Sequence, residues 1–266
     1  MKQRIITAVI AILLFFPIVI YGKWPFQVLI YIIATIGLLE LLKMRKTTSY
    51  PIPSIISIAL LWVLLIPDSY IEQISDNPFT KSEFMLFFVL LLLGYTVLVK
   101  NKFTFEDAGF LVLSAVYVGL GFYYFMEASK DLAIVFYAIL VILATDTGAY
   151  FFGRAFGKRK LWPEISPNKT IEGAVGGIIL ACAVALIFQI FVPILSSVIV
   201  LLFVTILASI VGQIGDLVES AFKRYYDVKD SGNILPGHGG ILDRFDSWIF
   251  VFPLLHFIQH FITFLT

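Results

Sequence analysis

Charge is scarce in this chain of 266 residues: 14% are Asp, Glu, Lys or Arg, against 60% hydrophobic residues. That balance excludes an ordinary soluble domain. A mean hydropathy of +0.96 with 16% aromatic residues places the chain among polytopic membrane proteins. Net charge is only +1, so there is no global basic field and no case for nucleic acid as a partner. The single cysteine, Cys182, lies in an apolar run. It cannot pair within the chain, reads as a small packing residue, and leaves the redox compartment undetermined. No strand pattern, fixed-period repeat or low-complexity linker is visible. The P-loop glycine pattern is also missing, so any nucleotide site is of another kind.

What is present is a series of apolar runs of roughly 18–23 residues, the length a helix needs to cross hydrocarbon. Nine such runs lie near 5–22, 24–42, 53–70, 83–99, 108–126, 132–152, 172–193, 195–215 and 247–265. The expected fold is all-α: a polytopic integral membrane helical bundle of about nine transmembrane helices, forming a single membrane domain over 1–266. The first run follows Met1-Lys2-Gln3-Arg4. It has no small-residue cleavage site after it and a second span begins almost at once, so it reads as a retained helix rather than a signal peptide. The first five spans read as clean in their interiors. The connection 67–81, with Asp68, Glu72 and Asp76, reads as a solvated loop. Gly173, Gly176, Gly177 and Ala181 give the seventh run a small-residue face, which close packing on a neighbouring helix explains without a ligand.

Lys and Arg orient the bundle by the positive-inside rule. Sixteen fall in the N-terminal tail and the even-numbered connections, against three, Lys23, Lys81 and Lys130, on the other side. The N-terminus and the polar loops are therefore expected in the cytoplasm, and the C-terminus across the membrane. Without the nine cations of the two motif loops the count is still seven against three.

Against this background the stretch 220–246 is a polar island. It holds Lys223, Arg224, Lys229, Asp230, His238, Asp243, Arg244 and Asp246 around Pro236-Gly237-His238-Gly239-Gly240. Cations suit phosphates, carboxylates suit a hard metal ion, and a glycine-rich turn lets backbone N–H groups approach a ligand. Just upstream, Gly212, Asp216, Glu219, Ser220 and Lys223 share one face if the eighth helix continues past its apolar run. Asp243 and Asp246, three residues apart, suit the first turn of the ninth helix, where one is expected as an N-cap. Together with Asp216 they would equally form an oxygen site suited to Mg²⁺. The sixth connection adds Asp146 beside Thr145, Thr147 and Gly148, an ionisable residue at a depth where function is the default reading. It also carries Arg154, Lys158, Arg159 and Lys160, which are as readily a topogenic cluster. Ser166 or Thr170 is expected to cap the seventh helix, whose N-terminus beside Lys169 is a ready anion site. His256 and His260, one turn apart, read as interfacial.

The 220–246 stretch, with Ser-x-x-Lys-Arg followed by Leu-Pro-Gly-His-Gly-Gly-x-x-Asp-Arg-x-Asp, resembles the hallmark of phosphatidate cytidylyltransferases, the CDP-diacylglycerol synthases. Asp146-x3-Tyr150-x2-Gly153-Arg154-x-Phe156-Gly157-Lys158 and Ser166-Pro167-Asn168-Lys169-Thr170-x-Glu172-Gly173 resemble the same family. The one departure is Asn168, where a second Lys would precede Lys169. The motifs cover roughly the last 120 residues. The resemblance implies that CTP and phosphatidate give CDP-diacylglycerol and pyrophosphate, for phospholipid biosynthesis at the cytoplasmic face of the plasma membrane. It divides the chain into N-terminal helices (1–131) and catalytic helices with their loops (132–266).

By that resemblance Asp216 and Asp246 are the metal ligands, for Mg²⁺, with Asp243 a less certain third and a second, monovalent cation left open. Lys223, Arg224, Asp243 and His238 are the catalytic set, with His238 a phosphate donor, a proton donor or a packing residue. Asp146, Arg154, Lys169, Thr170, Ser220, Lys229, Gly239, Gly240 and Arg244 are the substrate and nucleotide set. The expected partners are CTP, phosphatidate, the lipid bilayer and a second copy of the chain, with the glycine face of the seventh helix one candidate dimer contact. Two other readings stay in view: a CTP-dependent membrane lipid kinase and an ion-coupled transporter. The transporter predicts polar residues near mid-span.

Overall fold

The structure is a computed structural model that describes residues 2–68, 70 and 80–265. Helices dominate it: α1 (Lys2–Tyr21), α2 (Lys23–Met44), α3 (Pro51–Leu65), α4 (Lys81–Leu98), α5 (Phe105–Ala128), α6 (Leu132–Phe156), α7 (Ile171–Phe191), α8 (Val198–Tyr225) and α9 (Leu242–Leu265). Each corresponds to one of the nine apolar runs. Among the described residues, α2, α4, α5, α6, α7 and α8 are long and apolar enough to cross a membrane. α3 has only 15 residues, because it stops at Leu65 and does not fill the expected 53–70 run.

Helix starts follow the local chemistry. Thr80 and Glu83 form a reciprocal capping box at α4. Asp131 accepts from the N–H of Ala133 at α6, and Ser197 caps α8. α8 is the element that exceeds expectation. Its apolar run ends near 215, but the helix continues to Tyr225, carrying Asp216, Glu219, Ser220 and Lys223 on continuous helical backbone.

The chain forms two compact units. The first comprises Met1–Glu127 with Asp230–Leu242. Its core is aliphatic and aromatic, with Phe26, Ile30, Leu38, Leu61 and Phe122 fully buried. Phe26 meets Phe125 edge-on at 5.2 Å. Arg45 pairs with Asp107 at 2.8 Å. Asp68 accepts from Tyr123 at 2.6 Å and pairs with Lys81 at 2.7 Å, so this part of the 67–81 connection is tied down. Glu72 and Asp76 lie outside the described residues. Glu40, a buried carboxylate, sits within the last two turns of α2. Its tolerance there has a simple cause: hydrogen-bond donors surround it, which offsets the cost of burial.

The second unit comprises Ala128–Lys229 with Asp243–Thr266. Its organising feature is a seam in which α6 and α7 touch backbone to backbone. A Cβ on Gly148 would lie 2.8 Å from the Gly176 carbonyl oxygen, and one on Gly177 would lie 2.7 Å from that of Thr145. The glycine face of α7 is thus consumed by packing on α6 inside the chain, which corrects the expectation that it is a dimer contact. Small residues let helix backbones approach in this way where lipid offers no hydrophobic drive. Buried hydroxyls link α6 to α8, with Thr145 donating to Ser209 and Tyr137 paired with Thr205, both at 2.8 Å.

A two-stranded antiparallel hairpin, β1 (Lys160–Trp162) and β2 (Ser166–Thr170), lies between α6 and α7, where no strand was expected. Two prolines, Pro163 and Pro167, and a polar composition hide it from pattern reading. The turn closes where the N–H of Ile165 bonds the Trp162 carbonyl at 3.2 Å.

Candidate active site

The second unit gathers most of the polar residues singled out by the sequence. Asp146 projects from α6, Lys169 from β2, Asp216 from α8 and Asp246 from the first turns of α9. The close approach of α8 and α9 rests on another glycine: a Cβ on Gly215 would lie 2.6 Å from the carbonyl oxygen of Asp246. Ser247 Oγ donates to the Gly212 carbonyl at 3.0 Å, fixing the register between the two helices. Asp216 and Asp246 are thereby brought near each other. Asp146, Asp216 and Asp246 all lie within reach of one another's charge, as do Asp146 with Lys169 and Arg244.

Two lysines answer these carboxylates. Lys169 Nζ donates to Asp216 Oδ2 at 2.5 Å, and both side chains keep about a third of their surface open, 27% and 31%. Ser220 Oγ lies 3.4 Å from the other Asp216 oxygen, one helical turn on. Lys223 is more enclosed. It lies 2.7 Å from Glu219 and 2.6 Å from Asp243, and Glu219 is fully buried. Glu219 Oε1 has no hydrogen-bond partner among the described residues. Glu219 shares the face of α8 that carries Asp216, as the helix period predicts, and no motif role falls on it. Its contact with Lys223 is the i, i+4 pair that the helix period puts in reach.

The remaining residues divide by what they touch. Thr170 is the N-cap of α7 and accepts from the Gly173 N–H at 3.1 Å; Ser166 instead sits in the hairpin. Arg224 Nε donates to the Ile165 carbonyl at 3.2 Å, pinning the hairpin turn to the end of α8. Glu172 accepts from the backbone N–H groups of Lys158 and Arg159 at 3.1 and 3.2 Å. The 158–160 cluster is therefore tied to the start of α7, although its side chains are exposed. Arg154 is exposed and lies 3.4 Å from the Tyr150 hydroxyl. Arg244 and Lys229 are exposed. The rings of His256 and His260 lie 4.5 Å apart far along α9.

His238, Gly239 and Gly240 belong to the first unit. Gly237 and Gly239 have φ of 77° and 84°, values that favour glycine, and the N–H of Leu235 bonds the Gly239 carbonyl at 3.0 Å. The 235–239 turn is thus a tight glycine-dependent loop, as its composition suggested.

Asp146, Asp216 and Asp246, with Lys169, form a cluster of hard oxygen donors and a cation, the groups that a phosphate and cation site would use. Among the described residues no three His, Cys, Asp or Glu side chains form a ready-made metal cage. Mg²⁺ does not require one: it commonly takes one or two carboxylates and completes its octahedron with water and substrate phosphates. The donor set therefore fits that ion.

The class these features define is a membrane protein with a charged cluster carried by α6, β2, α8 and α9. Comparison with known proteins narrows the class. Residues 2–262 match the model of the cytidylyltransferase family, and the chain belongs to that family. It is 54% identical over 262 residues to the phosphatidate cytidylyltransferase of Bacillus subtilis (strain 168), covering 97% of each chain. It is 50% identical to that of Staphylococcus haemolyticus (strain JCSC1435) over 259 residues, 97% of this chain and 98% of that one. The Staphylococcus aureus (strain COL) protein of the same name is 47% identical over 262 residues, again with 97% and 98% covered. The chain is accordingly a nucleotidyltransferase and a membrane protein.

Proposed function

We propose that the chain transfers the cytidylyl group of CTP to phosphatidate, giving CDP-diacylglycerol and pyrophosphate. The observation that carries this reading is the convergence of Asp146, Asp216 and Asp246 with Lys169 in one unit of a chain related over nearly its whole length to phosphatidate cytidylyltransferases.

The chemistry asks little of a general base. A phosphate oxygen of phosphatidate, already anionic at neutral pH, attacks the α-phosphorus of CTP. The bond from that phosphorus to the bridging oxygen breaks and pyrophosphate leaves. The obstacle is repulsion between a lipid phosphate and a triphosphate, so positioning and charge neutralisation dominate. Lys169 and Arg244 stand where they offset anionic charge. Arg224 holds the hairpin turn, and with it the strand that carries Lys169. Lys223, between two carboxylates, keeps that part of α8 and α9 together and presents a cation beside Asp243. Mg²⁺, when held by Asp216 and Asp246, would neutralise charge on the phosphates and on the departing pyrophosphate.

The proposal extends to topology. All nine helices span the plasma membrane, with the N-terminus and the site on the cytoplasmic side, as the Lys and Arg asymmetry supports. The acyl chains of phosphatidate then stay in the bilayer while its head reaches the cytoplasmic rim. A homodimer is part of the reading, through a surface other than the glycine seam. The test is product analysis with purified enzyme, CTP and phosphatidate. Pyrophosphate and a CDP-lipid are expected; release of CDP would mark a kinase, and formation of no CDP-lipid would refute the proposal.

A further inference from the structure

Glu40 lies outside every motif in the second half of the chain, yet three hydrogen bonds converge on its carboxylate within the first unit. It accepts from Ser231 Oγ at 3.0 Å, from the Ile241 N–H at 2.9 Å and from the Leu242 N–H at 3.0 Å. These partners stand some 190 to 200 positions away in sequence, at the two ends of the segment that contains the Pro236–Gly240 turn. Two glycines make room for it. A Cβ on Gly232 would lie 2.4 Å from Glu40 Oε1, and one on Gly240 would lie 2.4 and 2.5 Å from its two oxygens.

We propose that Glu40 is a positioning residue for the reaction, clamping both ends of the 231–242 segment and the start of α9; this rests on the function proposed above. The carboxylate gathers the free N–H groups at the beginning of α9, where the helix dipole favours negative charge. Leu242 is the first residue of that helix and Asp243 and Asp246 are its next carboxylates, so the clamp sets the phase at which α9 begins. A carboxylate is the group this geometry needs. It offers acceptor sites on both oxygens, whereas an amide would turn an NH₂ toward one donor set.

The test compares wild type with Glu40→Gln, Ser231→Ala and Gly232→Ala, purified in detergent. The measurements are kcat and KM for CTP per folded enzyme, melting temperature, and hydrogen exchange of 231–242. Glu40→Gln is expected to lower kcat by about 10- to 100-fold, the range for losing a residue that orients functional groups from behind. KM for CTP should change little, melting should stay close to wild type, and 231–242 should exchange faster. Ser231→Ala should give a smaller loss in the same direction. Adding Ser231→Ala to Glu40→Gln should cost less than the single changes together, because they disturb one clamp. Gly232→Ala crowds Glu40 Oε1 and lies outside the substrate and nucleotide set, so its loss reports on the clamp even if Glu40→Gln folds poorly. Wild-type kcat with unchanged exchange in Glu40→Gln overturns the proposal. So does a loss that vanishes when rates are expressed per folded enzyme. Absence of CDP-lipid synthesis by wild type would instead count against the function itself, and the exchange data would still decide the clamp.

Discussion

Lys223 offers the sharpest separation of structure from chemistry. Its ammonium lies 2.7 Å from Glu219 and 2.6 Å from Asp243, and the three side chains retain only 14%, 1% and 7% of their surface. Lys223→Met keeps most of the aliphatic stem but deletes the cation, leaving two enclosed carboxylates facing each other. Breaking a buried pair by removing one partner costs roughly 3–5 kcal/mol, because the other charge stays behind without compensation. For a domain of this size that corresponds to a fall in melting temperature on the order of 10 °C. A second change, Glu219→Gln, removes one of the stranded charges and should return much of the lost stability. Activity should behave differently. If Lys223 also supplies positive charge to substrate phosphates, CDP-lipid synthesis stays low in the double variant although the protein is stable again. The assay is thermal unfolding in detergent beside a radiolabelled CTP turnover measurement. An unchanged melting temperature in Lys223→Met would refute the electrostatic account, and wild-type turnover in the double variant would remove Lys223 from the chemistry.

Asp216→Asn and Asp246→Asn should each cost several orders of magnitude in turnover while insertion and purification remain normal, since Asn keeps the shape but loses the charge a hard cation needs. Asp243→Asn, which weakens the Lys223 pair, should show its effect in melting as much as in rate; near-wild-type synthesis by Asp246→Asn at ordinary Mg²⁺ would remove the metal role. Gly177→Ala places a Cβ 2.7 Å from the Thr145 carbonyl oxygen, a backbone atom that cannot swing away, and should destabilise the protein by about 1–3 kcal/mol. Wild-type melting of that variant would show that the seam opens freely. A topology reporter fused after Thr266 should read as extracytoplasmic and one inserted within 227–233 as cytoplasmic; both on one side would break the nine-span arrangement.

The helices were legible in the chain because their cause is local. An apolar run of about twenty residues must satisfy its own backbone hydrogen bonds in lipid, and a helix does so within the segment. The 3.6-residue period likewise puts Asp216, Glu219, Ser220 and Lys223 on one face of α8 whatever they contact. Motif spacing grouped the Asp, Lys and Arg candidates for the same reason, since residues on one turn or one loop are neighbours whatever the rest of the fold does. Glu40 carried a usable sign, an acidic residue inside an apolar span, but its partners lie beyond any local rule. The hairpin over 160–170 gave no alternation to detect.

What tertiary structure alone decided is which charges meet. Lys169 pairs with Asp216 across 47 positions and Lys223 with Asp243 across 20, while Glu40 takes the N–H groups of Ile241 and Leu242 some 200 positions on. Those pairings depend on how closely backbones approach at Gly148, Gly177, Gly215 and Gly240, and that approach is set by packing across elements. Sequence determined the helices and the reactive groups they carry, through forces that act within a turn or a span; packing determined the partners, because Coulomb and hydrogen-bond energies fall away within a few ångströms and only the folded chain supplies those distances.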